Sequence, residues 1–203
     1  MRRLELPPTL RTLNSDEAPK NSTFYDGMTK ALNANIVEGY TLRYNTNHEP
    51  PFKFYAEINI DNSRFWSLFK TLMLHLPDEV SLIFNDADSD IVFYGKYRDK
   101  FEVLNGISSY SIELTQDCFL EFGVIHQTDS FLEEVFVDCT KYIKYWGMDE
   151  TWFRATMHDF QIFETPELNF MDEFPKVRES LSLHHKSAVK TEDILEQWQI
   201  LFT

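Results

Sequence analysis

Glycine is scarce in this chain, with six in 203 residues. A phosphate-cradling loop needs glycines whose backbone can approach the ligand. No G-x-x-x-x-G-K-[ST] run and no G-x-G-x-x-G run occurs, and no G-x-S-x-G marks a serine nucleophile. Cysteine is scarcer still. Cys118 and Cys139 are the only two, too few for a disulfide framework. Both lie in apolar stretches, which predicts reduced, buried thiols and a cytoplasmic location. No run of about 18 apolar residues is present, so no transmembrane helix is expected. The basic start at Arg2-Arg3 is not followed by the apolar segment of a secretory leader.

Positive charge is the other deficit. Lys and Arg number 19 against 33 Asp and Glu, a formal charge of −14. Sequence-independent nucleic-acid binding needs clustered Lys and Arg to replace phosphate counterions, and Arg2-Arg3 is the only notable pair beyond scattered lysines. The same charge repels an anionic membrane surface. It suits a basic protein partner, or it serves solubility alone. Hydrophobic residues at 43% exclude a disordered acidic chain.

Metal and acid–base chemistry find little support. The histidines are His48, His75, His126, His158, His184 and His185, and they form neither H-E-x-x-H nor an i, i+4 pair; no C-x-x-C exists. Asp86-x-Asp88-x-Asp90 has the carboxylate spacing that begins a calcium loop. The sixth position is Ile91 instead of Gly and the twelfth is Tyr97 instead of Glu, so an exposed hairpin tip is the simpler reading. Cys118 or Cys139 with His126 would be a nucleophile pair, but Asp117 and Asp138 beside the thiols raise their pKa, the wrong direction. Glu121, Glu133 and Glu134 would serve as acid–base carboxylates only at a suitable separation. Exposed strand glutamates are the ordinary explanation. No catalytic residue, metal or cofactor is assigned.

Along the chain, residues 1–30 read as an irregular arm, broken by Pro7-Pro8, Pro19 and the polar run Asn14-Ser15-Asp16-Glu17. Strands are expected at Val37–Tyr44 and Phe52–Ile60, the second with strict alternation. Asp61 caps a helix with Phe65, Trp66, Phe69, Leu72, Met73 and Leu76 at helical spacing, and Pro77 stops it. Val80–Asn85 and Ile91–Lys96 read as strands around the acidic turn. Residues 97–106 read as a short helix ended by Gly106, and Tyr110–Thr115 and Phe119–His126 as strands. One long strand from Leu132 to Trp146 carries aromatics on both faces, which predicts cover on both sides. Asp149-Glu150 opens a helix to Phe160. Thr191-Glu192-Asp193 caps a last helix with Ile194, Leu195, Trp198, Leu201 and Phe202 on one side.

The expected fold is α+β: a largely antiparallel sheet of about six or seven strands covered by two or three helices. The core domain spans 31–175, and 176–203 is a helical extension packed on it.

Leu132-Glu133-Glu134-Val135-Phe136-Val137 and Lys141-Tyr142-Ile143-Lys144-Tyr145-Trp146 resemble a stretch of small bacterial proteins of the toxin-immunity type. The resemblance is confined to residues 132–146 and carries no catalytic motif. It implies a binding protein and transfers no residue role. The expected function is therefore a non-enzymatic acidic module that binds a protein, with an immunity-type inhibitor of a basic toxin as its most concrete form. Asp86, Asp88, Asp90, Glu133, Glu134 and Asp138 are the expected contacts. The alternatives are a small hydrolase with a non-standard site, and a homo-oligomeric structural module joined through its last helix.

Overall fold

The computed structural model describes residues 2–14, 16–17, 22–47 and 49–203. Ser15, Pro19 and His48, named above, lie outside the described residues. In chain order the elements are β1 (Leu10–Thr12), α1 (Ser22–Asn33), β2 (Gly39–Tyr44), β3 (Phe54–Asn59), α2 (Asn62–His75), β4 (Glu79–Asp86), β5 (Phe93–Tyr94) and β6 (Arg98–Asp99). There follow α3 (Lys100–Ser108), α4 (Ser111–Gln116), β7 (Leu120–Thr128), β8 (Phe131–Val137), β9 (Ile143–Gly147), α5 (Glu150–Asp159), β10 (Lys176–Arg178) and α6 (Thr191–Phe202).

The fold is α+β. The main sheet runs β2-β3-β9-β8-β7-β4-β5, with β6 paired to β4, and every strand pair in it is antiparallel. The strand β1, and the helix α1, stand in the stretch expected to be irregular, and β1 pairs with β10 at the far end of the chain.

Alternation decides the core. Phe54, Ala56 and Ile58 of β3 are buried, as are Phe122 and Val124 of β7, Val135 and Val137 of β8, and Ile143 and Tyr145 of β9. They meet Phe65, Phe69 and Leu72 of α2, Val103 of α3, Leu114 of α4, Phe153 of α5 and Trp198 of α6. Five helices thus cover one face of the sheet. The cluster on the other face, Ile83, Ile125 and Leu132 with Phe52, Phe136 and Trp146, contains no helix residue. Cover on both faces was the expectation, and the structure provides it on one.

Two segments differ from the alternation they show. Where a strand is expected over residues 110–115, the chain forms the helix Ser111–Gln116. Leu114 N–H donates to the Tyr110 carbonyl at 2.8 Å, and Ile112, which alternation would bury, is 46% exposed. The expected strand 132–146 is two strands with a turn between. The Asp138 carboxylate accepts from the Thr140 N–H and hydroxyl, each at 3.0 Å, and Lys141 adopts φ 60. A side chain that bonds its own backbone two residues on makes a turn without glycine or proline. The hairpin pairs Val135 with Tyr145 and Val137 with Ile143, so the residues expected on one face still share it.

At α2 and α6 the capping differs from expectation. The Asp61 side chain does not cap α2; it accepts from the Glu5 N–H at 2.7 Å. Thr191 starts α6 and donates to Asp117 at 2.6 Å. Ile194, Leu195, Trp198 and Phe202 are buried, whereas Leu201 is 52% exposed. Gly106 lies inside α3, where a Cβ would come within 2.7 Å of the Phe202 ring. It is a seat for α6, and no helix end.

Candidate binding face of the sheet

The open face is built by two rows of cross-strand neighbours. Tyr55 of β3 pairs with Trp146 of β9, Trp146 with Glu134 of β8, and Glu134 with Ile125 of β7. In the next row Glu57, Lys144, Phe136, Gly123, Ile83 and Tyr94 run from β3 to β5. Residues two apart on a strand share a face, so both rows lie on one face, and all of their residues but Ile125 and Gly123 line a groove of about 430 Å³ together with Val92 and Tyr142. Tyr55 and Trp146 pack with ring centroids 4.8 Å apart. Tyr94, at the rim, is 63% exposed.

Gly123 makes the floor of the second row. A Cβ there would lie 2.7 Å from the Val135 carbonyl and 2.9 Å from the Phe136 ring. The ring occupies the space a side chain would take, so the glycine is needed for close approach rather than for backbone freedom. Gly123→Ala should cost about 2 kcal/mol in urea unfolding, the scale of an overpacked site, and should lift Phe136 into the groove. An unchanged midpoint would show that the ring yields freely.

Charge in the groove is paired with one exception. Lys144 Nζ is 2.8 Å from Asp138 Oδ2 and lies over the Tyr142 ring at 5.1 Å. Glu57 faces Arg43 at 3.5 Å and accepts from the Tyr55 hydroxyl at 3.2 Å. The Tyr142 hydroxyl donates to Asp172 at 3.0 Å. Glu134 is half-buried among Trp146, Phe136 and Tyr55 and has no hydrogen bond or ion pair among the described residues. Burial alone pushes its carboxyl up to about 7.

The other expected contacts are spread over different surroundings. Asp90 is exposed at the tip that follows β4. Asp88, also exposed, pairs with Arg178 at 2.5 Å. Asp86 accepts from the Asp88 N–H at 2.8 Å. Glu133 and Asp138 are buried, at 3% and 8% exposure. Glu133 points to the helix-covered side, where it accepts from the Met148 N–H at 3.1 Å. Asp138 holds its turn. Burial pulls the Asp138 carboxyl up, but Lys144 and the Thr140 bonds together hold it below the ordinary range. Of the six, Glu134 alone lies in the aromatic groove.

Catalytic groupings do not assemble from the candidate residues. His126 Nδ1 is 2.6 Å from the Glu79 carbonyl, Cys118 Sγ is 3.2 Å from Thr9 Oγ1, and Cys139 Sγ faces Asp138 at 3.5 Å. Burial raises both thiols, Cys139 to about 12, which leaves them protonated at neutral pH. Glu121, Asp138 and Cys139 bring ligand atoms within 4.8 Å of one another. Each is engaged: Glu121 with Asn85 and the Cys139 N–H, Asp138 with Lys144 and Thr140. A larger cleft of about 770 Å³ is lined by His75, Glu133 and Asp149 among others. There His75 stacks on Trp152 at 3.5 Å, Asp149 caps α5, and burial raises Glu133 and lowers His75.

Tyr55, Phe136, Trp146, Tyr94 and Gly123 were not among the expected site residues. The signal for them was present. Tyr55 stands on the otherwise polar side of an alternating strand, and residues 132–146 carry aromatics on both faces. Comparison with protein-family models, curated proteins and solved structures returned no match. No helix among the described residues is long and apolar enough to cross a membrane.

Proposed function

We propose that this chain is a non-enzymatic protein-binding module that takes a basic partner on the open face of its sheet. One observation carries the reading: an aromatic groove lined by a carboxyl with no partner among the described residues lies on the sheet face whose apolar cluster contains no described helix residue. Aromatic residues at the core of a patch are the composition of interfaces, and a net charge of −14 steers a basic partner toward it. An immunity-type inhibitor of a basic toxin is the most concrete form. The stretch that carries the resemblance, 132–146, supplies Glu134, Phe136, Lys144 and Trp146 to the groove. Asp90 would add to steering from the neighbouring tip.

The test is capture from lysate at low and high salt, by the wild type and by a Tyr55→Ala/Trp146→Ala double variant of unchanged melting behaviour. The expected result is one stoichiometric basic protein, held by the wild type at low salt, released at high salt, and absent from the variant. Equal retention by both proteins would place the binding surface elsewhere, and the absence of any basic protein would refute the reading.

A further inference from the structure

Resting on the reading above, we infer that the groove is a seat for one arginine side chain of the partner, with Glu134 as its anion and Tyr55, Trp146 and Phe136 as its walls. A carboxyl set among aromatic rings gains nothing from its own chain here: among the described residues no donor reaches it. Half-burying an unpaired acid is unfavourable, so a fold that keeps one in the lining of an open groove has left room for the missing cation. The rings supply the rest. Tyr55 and Trp146 meet at 4.8 Å and an interplanar angle of 47°, and their faces attract a cation.

The neighbouring charges do not fill the role. Lys144 lies over the Phe136 ring at 6.0 Å but is turned to Asp138 at 2.8 Å, and Arg43 faces Glu57. Ile125 of β7 and Ile83 of β4, on the far side of Glu134, are apolar. A planar, weakly hydrated guanidinium fits such a site better than an ammonium. It can stack on a ring while its edge bonds a carboxylate bidentately.

The experiment uses the full chain at pH 8 and reads the indole N–H resonance of Trp146, assigned by its loss in Trp146→Phe. N-acetyl-arginine amide is the probe, with its lysine and citrulline counterparts beside it. Citrulline keeps the shape of arginine without the charge. The expected result is a saturable shift with the arginine compound, a several-fold weaker one with lysine, and none with citrulline. Glu134→Gln, which removes charge but not shape, should weaken the arginine response at least tenfold. No saturable shift, equal shifts with citrulline, equal affinity for lysine, or an undiminished response in Glu134→Gln would each overturn the arginine seat. The capture experiment separates this failure from failure of the broader reading. A basic partner lost by the Tyr55→Ala/Trp146→Ala variant but retained by Glu134→Gln would leave the open face as the interface and remove the arginine seat.

Discussion

Trp198→Ala lowers stability by about 4 kcal/mol, the scale of a large aromatic removed from a core. Trp198 is among the largest side chains with no solvent exposure. Its ring meets Phe84 of β4 edge-on at 5.6 Å and Tyr110 at 5.9 Å, so it joins α6 to the sheet and to the turn before α4. Truncation leaves a cavity the size of an indole that Phe84 cannot fill without leaving β4. The loss is a large part of the roughly 5–15 kcal/mol by which a domain is stable, and the melting temperature should fall by roughly 8–16 °C. The indole N–H has no partner among the described residues, so Trp198→Phe removes a buried donor together with volume and should cost far less. Leu201→Ala, one turn on and exposed, should stay within about 0.5 kcal/mol. Urea unfolding of the three variants tests the set. A Leu201 effect as large as that of Trp198 would mean that α6 docks in a different rotation.

Glu134→Gln stabilises the protein, and does so only at neutral and alkaline pH. The carboxyl titrates in the folded chain at about 7, raised by burial from an ordinary value near 4.5. Below pH 4.5 both folded and unfolded states hold the proton, and the variant and wild type should be equally stable. As pH rises toward 7 the unfolded chain releases the proton and the folded chain retains it, so the wild type loses stability with pH. Above 7 the penalty is complete. The shift corresponds to about 3 kcal/mol, and water reaching the half-buried group reduces this to about 2 kcal/mol. Stability should therefore differ by about 2 kcal/mol at pH 8 and by nearly nothing at pH 4. Tyr55 and Glu57 from β3, Lys144 from β9, Tyr142 and Tyr94 are the other titratable groups facing the groove. A stability difference independent of pH would show that Glu134 is solvated, and a Glu134→Gln variant less stable than the wild type at pH 8 but not at low pH would show that it is paired.

The sheet, and the helices after Asp61, Asp149 and Lys190, were legible because alternation and helical spacing there coincide with burial. Phe54, Ala56 and Ile58 are apolar by period two and buried by period two. Where pattern and burial part, the reading failed. Ser111 to Thr115 alternates by chance, since only one of its two aliphatic residues enters the core. The turn at 138–141 lacks glycine and proline, because the Asp138 side chain does the work of a turn residue. The groove was half legible. Glu134 was named for its charge, while its meaning depends on Trp146 and Tyr55. Those lie beside it only through strand pairing, which no local pattern encodes.

The order of strands also bears on how the chain reaches its folded form. β2 and β3 form a hairpin early in the sequence, but β3 finds its second neighbour only in β9, after α2, α3, α4 and five intervening strands have been made. Closing so long a loop is slow, and it is rewarded only when both ends are in place. The pairing of Tyr55 with Trp146 belongs to that long-range closure. Two half-sheets can exist before it, one ending at β3 and the other at β9, and neither contains the whole groove. Energy transfer from Tyr55 to Trp146 would follow the arrival of this pairing, and a newly made chain would acquire the whole groove only with that long-range step.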